Sequence, residues 1–176
     1  MAKRVVTDTF DMDAVAEFLG VPTYMDIWEG NADYLGDAYS AGVREALAEG
    51  ASEEEAEETG VKWQEAEEKE LHSKYMSGLE SAAASVLEPH GLVLEDTGKG
   101  KFKVIPESGW ADAASRIVDT INGVGMFEFA SAKEFKDSGP YKSYKDAVLH
   151  HLGWARRYSD VYGGRSAERV FHDSWR

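Results

Sequence analysis

Cysteine is absent from the 176-residue chain, which excludes disulfides, thiolate catalysis and cysteine-ligated zinc or iron–sulfur centres. No run of eighteen apolar residues occurs, so no membrane-spanning helix is expected. The opening residues, Met1-Ala2-Lys3-Arg4-Val5-Val6-Thr7-Asp8, lack the apolar segment of a secretory signal. These absences point to a cytoplasmic protein. Neither a His-Glu-x-x-His nor a Gly-x-Ser-x-Gly pattern is present. Gly98-Lys99-Gly100-Lys101 has neither the spacing nor the hydroxyl of a phosphate-binding loop and reads as a hairpin turn. No cofactor and no metal is expected.

Positive charge is also scarce, but only in the first half. Residues 1–88 hold 6 Lys/Arg against 21 Asp/Glu, a net of −15, whereas residues 89–176 hold 13 against 12, a net of +1. Within Glu49–Glu70, ten Glu face two Lys. A salt-adapted surface would spread its acids over the whole chain. Polarised charge is instead an argument about partners. It argues against residues 1–88 touching nucleic acid or an anionic membrane, and it suits a basic protein partner.

What is present is enough for a core. The hydrophobic fraction is 43%, with five Trp, eight Tyr and seven Phe, and the length suits a single domain spanning residues 1–176. The chain is organised around Ser52–Glu88. Leu71, Tyr75, Leu79, Ala82 and Val86 recur at three- and four-residue steps and make one apolar stripe on a helix. From Ser52 to Glu70 the stripe is missing, and glutamates point in every direction around the axis. Ser52-Glu53-Glu54-Glu55 is a capping box. Gly60 predicts a break, with one helix to Thr59 and another from Val61 to Glu88, part of which stands clear of the body.

Elsewhere, Thr9–Leu19 reads as a helix capped by Asp11 or Asp13 and ended by Gly20. A second helix runs from Asn31, its cap, to Glu49, with Leu35, Tyr39, Val43, Ala46 and Leu47 as its apolar side. Gly91–Glu95 and Lys101–Pro106 form a hairpin. Ser108–Asn122 is a helix with Ala113, Ala114, Ile117, Val118 and Ile121 inward and Gly123 at its end. Met126–Ala130 reads as a third strand, and Ala132–Asp137 as a turn of helix. Ser143 opens a further helix with Asp146 as its capping partner, and Ser166–Trp175 closes the chain. The fold class is α+β: mainly helical, with a small antiparallel sheet (a β-hairpin plus one strand) and a long acidic helix. The halves are an acidic helical 1–88 and a near-neutral ββαβαα 89–176.

Two regions carry candidate chemistry. The first is the row of Glu53, Glu54, Glu57, Glu58, Glu65, Glu67, Glu68 and Glu70 with Trp63 among them. Glu58–Lys62, Glu65–Lys69 and Glu70–Lys74 are favourable four-residue pairs, but three pairs do not neutralise ten acids. Free carboxylates in a row imitate phosphates and can occupy a basic channel by the counterion release that drives DNA binding, with roles reversed. The second is His150, Trp154, Arg156 and Arg157. His150 follows Asp146 by one turn, a general-base neighbourhood, while the arginines among Tyr158 and Tyr162 suit stacking on single strands or contact with the acidic limb of another copy. His151 lies on the aromatic stripe as a core histidine. Glu134-Phe135-Lys136 has the shape of half a nuclease motif, without its upstream Asp on a strand.

In charge profile, though in no motif, residues 49 to 70 resemble the small acidic inhibitors carried by phages and plasmids, the anti-restriction and anti-CRISPR proteins. The expectation is a non-enzymatic binding or inhibitor protein, a DNA mimic docking its acidic surface on a basic site of a nucleic-acid-handling enzyme. The alternatives are a self-associating assembly protein and a small enzyme using His150 with Asp146.

Overall fold

The computed structural model describes residues 9–98, 100–125, 128–155 and 167–174. The fold is mainly helical α+β, with a three-stranded antiparallel sheet and one long helix. Strand β1 is Thr9–Asp11, followed by helices α1 (Met12–Leu19), α2 (Tyr24–Gly30), α3 (Ala32–Ala48) and α4 (Glu53–Leu87). Strands β2 (Leu92–Gly98) and β3 (Lys101–Pro106) come next, then α5 (Trp110–Val124), α6 (Ala132–Asp137), α7 (Tyr144–Ala155) and α8 (Ala167–Asp173). By contact the chain forms two compact units, Pro22–Ser77 and the remainder, and the boundary falls inside α4.

The larger unit holds the sheet, in the order β1-β3-β2. Phe102 and Val104 of β3 and Leu92 of β2 are buried, while Lys101 and Lys103 face out, the alternation of a one-sided sheet. All five expected inward residues of α5 are buried, as are Leu79, Ala82, Ala83 and Leu87 of α4. Phe171 of α8 is fully buried, and its ring lies where a Cβ on Gly78 would be 3.1 Å away.

Two expectations about strands change. Thr9–Asp11 pairs with Lys101–Lys103 instead of starting a helix, and α1 begins only where the Asp11 carboxylate accepts the Ala14 N–H at 2.7 Å. The β-branched Thr9 and the aromatic Phe10 suit a strand, and Asp11 is a better cap than a helix interior residue. Residues 128–130 form no strand, and Met126 and Phe127 lie outside the described residues. The Asn122 side chain instead donates to the Phe129 carbonyl (2.9 Å) and accepts the Phe129 N–H (3.0 Å), taking the place of a neighbouring strand. The α5 terminus also moves, to Gly125 at φ 75°, two residues beyond the expected Gly123.

The smaller unit, Pro22–Ser77, is helical. Thr23 and Asp26 make a reciprocal capping box that starts α2 in a stretch whose periodicity is too short to read. Asn31 holds the N-cap position of α3 as expected, but its side chain makes no capping bond there; the amide instead donates to the Ile27 carbonyl at 2.7 Å and so closes α2. Tyr75, fully buried, donates its hydroxyl to the Pro22 carbonyl at 2.8 Å, and Tyr24 packs on both Tyr75 and His72.

Gly60 does not break α4, which is continuous over 35 residues. The glycine is used for packing against α3. A Cβ on Gly60 would lie 2.8 Å from Val43 Cγ2 and 2.9 Å from the Tyr39 ring. A Cβ on Gly42 would lie 3.1 Å from both the Gly60 Cα and the Thr59 carbonyl oxygen, and 3.0 Å from Trp63 Cγ. The two backbones thus touch at Gly42 and Gly60, with Tyr39 of α3 laid on one glycine and Trp63 of α4 on the other. Ala56, buried completely, continues this seam, as does the buried Ala46 of α3.

This contact fixes a prediction with opposite signs at two glycines of one helix. Gly36→Ala, with nothing within 4 Å of its Cβ, should stabilise by about 0.5–1 kcal/mol through helix propensity. Gly42→Ala gains the same propensity but drives a methyl into backbone atoms that cannot swing away, so it should destabilise by about 1–3 kcal/mol. Urea unfolding of the two variants measures both, and equal effects would rule out the backbone contact.

Candidate partner-binding surface

The acidic residues cannot be absorbed by the unit that carries them. Pro22–Ser77 holds 15 Asp/Glu against 4 Lys/Arg, a net of −11, and leaves −3 of the whole chain's −14 for everything else. None of the nine glutamates from Glu53 to Glu70 makes an ion pair among the described residues. The expected Glu58–Lys62 and Glu65–Lys69 pairs are not formed. Exposed pairs of this kind gain little over hydration and cost side-chain entropy.

The structure sorts the candidate residues onto different flanks of α4. Glu54, Glu58, Val61 and Glu65 stand at i, i+4, i+7 and i+11 and share one face. With Glu57, Lys62 and Tyr39 of α3 they line an open groove of about 500 Å³. Its floor is apolar, since Val61 is 46% exposed there and Tyr39 lies across Gly60. Its rim carries four carboxylates and one ammonium.

On another flank, Trp63, Glu67 and Glu70 follow each other at four and three residues. Tyr34 of α3 donates its hydroxyl to Glu67 Oε2 at 3.0 Å. That bond, the charge on Glu67, slight burial and the charge on Glu70 raise the Tyr34 pKa above its ordinary 10. Trp63 is only 38% exposed because its ring rests on Gly42. Glu68 is half-buried: its carboxylate accepts Gln64 Nε2 at 3.1 Å and its backbone carbonyl accepts the Tyr24 hydroxyl at 3.5 Å. Glu53 sits exposed in the first turn, beyond the groove.

Apolar exposure follows the same division. Among the described residues, the large apolar side chains left open to solvent, Met25, Tyr34, Leu47, Val61 and Trp63, all belong to Pro22–Ser77. Leu47 was expected inside α3 and is 46% exposed. Tyr39, Val61 and Tyr34 are the residues that the charge pattern did not identify. Val61 had a signal: it is the one aliphatic residue larger than alanine between Ser52 and Glu70.

The second candidate region lies on α7 and is described only in part. Asp146 is buried and faces the Ser143 hydroxyl at 3.1 Å, whose oxygen accepts the Asp146 N–H at 3.3 Å, so both are occupied in starting α7. The His150 ring lies 5.4 Å from that of Tyr141. Trp154 is in the last turn of α7, and Arg156, Arg157, Tyr158 and Tyr162 lie outside the described residues. Glu134 caps α6, its carboxylate accepting the Ala130 N–H at 2.7 Å while its own N–H goes to Ser131, so Glu134-Phe135-Lys136 is helical rather than following a strand. Among the described residues no three His, Asp or Glu side chains gather as a metal site, and no described helix is long and apolar enough to cross a membrane.

His151 packs edge-on against the buried Phe135 ring at 5.9 Å. Burial, then the proximity of His90 and His150, lowers its pKa from 6.5 to about 4. His90 is buried, its Nδ1 has no hydrogen-bond partner among the described residues, and burial lowers its pKa too.

No protein-family model, no curated protein and no solved structure matches the chain.

The lowered pKa of His151 makes the larger unit sensitive to acid. Between pH 6.5 and about 4 an unfolded chain binds a proton at His151 that the folded chain refuses, so stability falls as pH falls through this window. The loss from His151 should reach roughly 3 kcal/mol at its lower end. His151→Phe should flatten that part of a stability–pH curve measured by urea unfolding. An unchanged slope would mean that the imidazole is not held neutral.

Proposed function

We propose that this chain is a non-enzymatic binding protein that places its acidic helical surface on a basic site of another protein, one that handles nucleic acid. The observation that carries the reading is the set of glutamates from Glu53 to Glu70 that have no cationic partner among the described residues, in a unit of net charge −11. A folded surface keeps such charge against its own repulsion, and a partner's lysines and arginines relieve it. Release of the partner's bound anions and of the cations around the glutamates then adds to affinity, as it does for DNA. An inhibitory outcome follows where that basic site is also the nucleic-acid channel.

The structure also selects which glutamates test the reading. Glu67 and Glu68 hold Tyr34 and Gln64, so changing them disturbs the helical unit itself. Glu54, Glu57, Glu58 and Glu65 are exposed and hold nothing among the described residues. Replacing these four by lysine should leave the helical circular dichroism intact and weaken capture of the native partner from cells by more than about a hundredfold. Duplex DNA should displace the wild-type protein from that partner, and salt should weaken the complex steeply. Capture that survives the four substitutions, or that DNA cannot displace, would overturn the proposal.

A further inference from the structure

We infer that the groove between Tyr39 and the Glu54–Glu65 face receives a basic amphipathic helix of the partner, with Lys or Arg on either side of an aliphatic residue. The inference rests on the reading above, that the acidic surface binds a basic protein, and it names the part of that surface and the form of the partner.

Two features of the groove ask for more than positive charge. A surface that only imitates phosphates needs carboxylates in water and no apolar floor. Here Val61 is 46% exposed in the middle of the carboxylates, and Tyr39 extends the same apolar strip. Lysine and arginine side chains match such a lining because their methylene stems cover apolar surface while their heads reach the rim. The spacing matches a helix. Glu58, then Val61, then Glu65 form a charged–apolar–charged series along about 10 Å of α4, with Glu54 one turn further on. A partner helix presents cation, aliphatic and cation at i, i+4 and i+7 with the same period. Charge complementarity favours this occupant over a second copy. The rest of the chain carries a net of −3 and offers no surplus of positive charge. Lys62 forms no ion pair with the groove carboxylates among the described residues, so the rim keeps its negative charge.

The test uses the full chain and two synthetic helical peptides of identical composition. One carries Arg at i and i+7 around Leu at i+4, and the other has the same residues scrambled around the helix. The ordered peptide should bind about tenfold more tightly at about 0.5 M NaCl, where screening leaves the apolar contact as the difference. Val61→Ser, a change at an exposed position, should erase that preference. Glu54→Gln with Glu65→Gln should weaken both peptides at low salt. In methyl and indole NMR, Val61 signals should shift on titration while the Trp63 indole stays in place. Equal affinity of the two peptides, or shifts at Trp63 in place of Val61, would overturn the groove assignment. Should the four lysine substitutions still abolish native capture in that case, the proposed function stands and only the groove inference falls. A retained ordered-peptide preference with native capture unaffected would instead keep the groove and remove the proposed function.

Discussion

The meeting of two helix backbones at Gly42 and Gly60 governs what the acidic stretch can present. Helix α4 between Glu53 and Glu70 has no apolar stripe capable of burying it, and its like charges repel along every turn. An isolated helix of this sequence would gain little from packing. It is held because α3 approaches closely enough for each glycine to receive an aromatic ring from the opposite helix, Tyr39 on Gly60 and Trp63 on Gly42. Contact of this kind needs very little apolar area per residue, since backbone atoms supply the dispersion contacts that side chains would otherwise make. The glutamates are therefore free to remain outside.

That arrangement separates two tasks along one helix. Beyond Glu70, α4 carries an ordinary stripe whose members Tyr75, Leu79, Ala82, Ala83 and Leu87 are buried. Before it, only Ala56 and Gly60 are buried, Thr59, Gln64, Glu67 and Glu68 are half-buried, and the rest faces water. The boundary between the two compact units falls about two turns further on, after Ser77. Charge follows it, with −11 concentrated in the 56 residues Pro22–Ser77. Repulsion within that unit costs stability, and among the described residues no ion pair at Glu58 or Glu65 compensates it. A surface maintained in that condition is one whose free energy drops when cations arrive.

Much of this was legible in the residues. The stripes of α5 and the second part of α4 have the helical period; all five expected residues of α5 are buried, and in α4 Tyr75, Leu79 and Ala82 are, whereas Leu71 and Val86 are only half-buried and Leu87 is buried in their place. The acidic stretch declared itself by composition. What was not legible depended on contacts distant in sequence. Gly60 reads as a helix breaker when only its own helix is considered, and its value appears only with Val43 and Tyr39 beside it. Thr9–Asp11 becomes a strand because β3 offers an edge almost ninety residues away. Asn122 replaces a strand for Phe129 by side-chain hydrogen bonds that no periodicity signals. The groove was missed for a related reason: Tyr39 fits the inward stripe of α3, and the absence of a side chain at Gly60 gives its ring room to lie against α4 at the edge of the groove.

The exposed apolar residues and the carboxylates are best understood together. Open side chains such as Val61 and Trp63 would ordinarily invite self-association. Here they lie in a unit whose charge repels another copy of itself, and the rest of the chain has no net positive charge to attract it. Neutral apolar partners gain contact with Val61 only by stripping water from the glutamates around it, an uncompensated cost. A partner bearing both cations and aliphatic side chains meets neither obstacle. On the proposed reading, the same glutamates would attract one class of partner and exclude the others, so selectivity would arise from the surroundings of the apolar floor as much as from the floor itself.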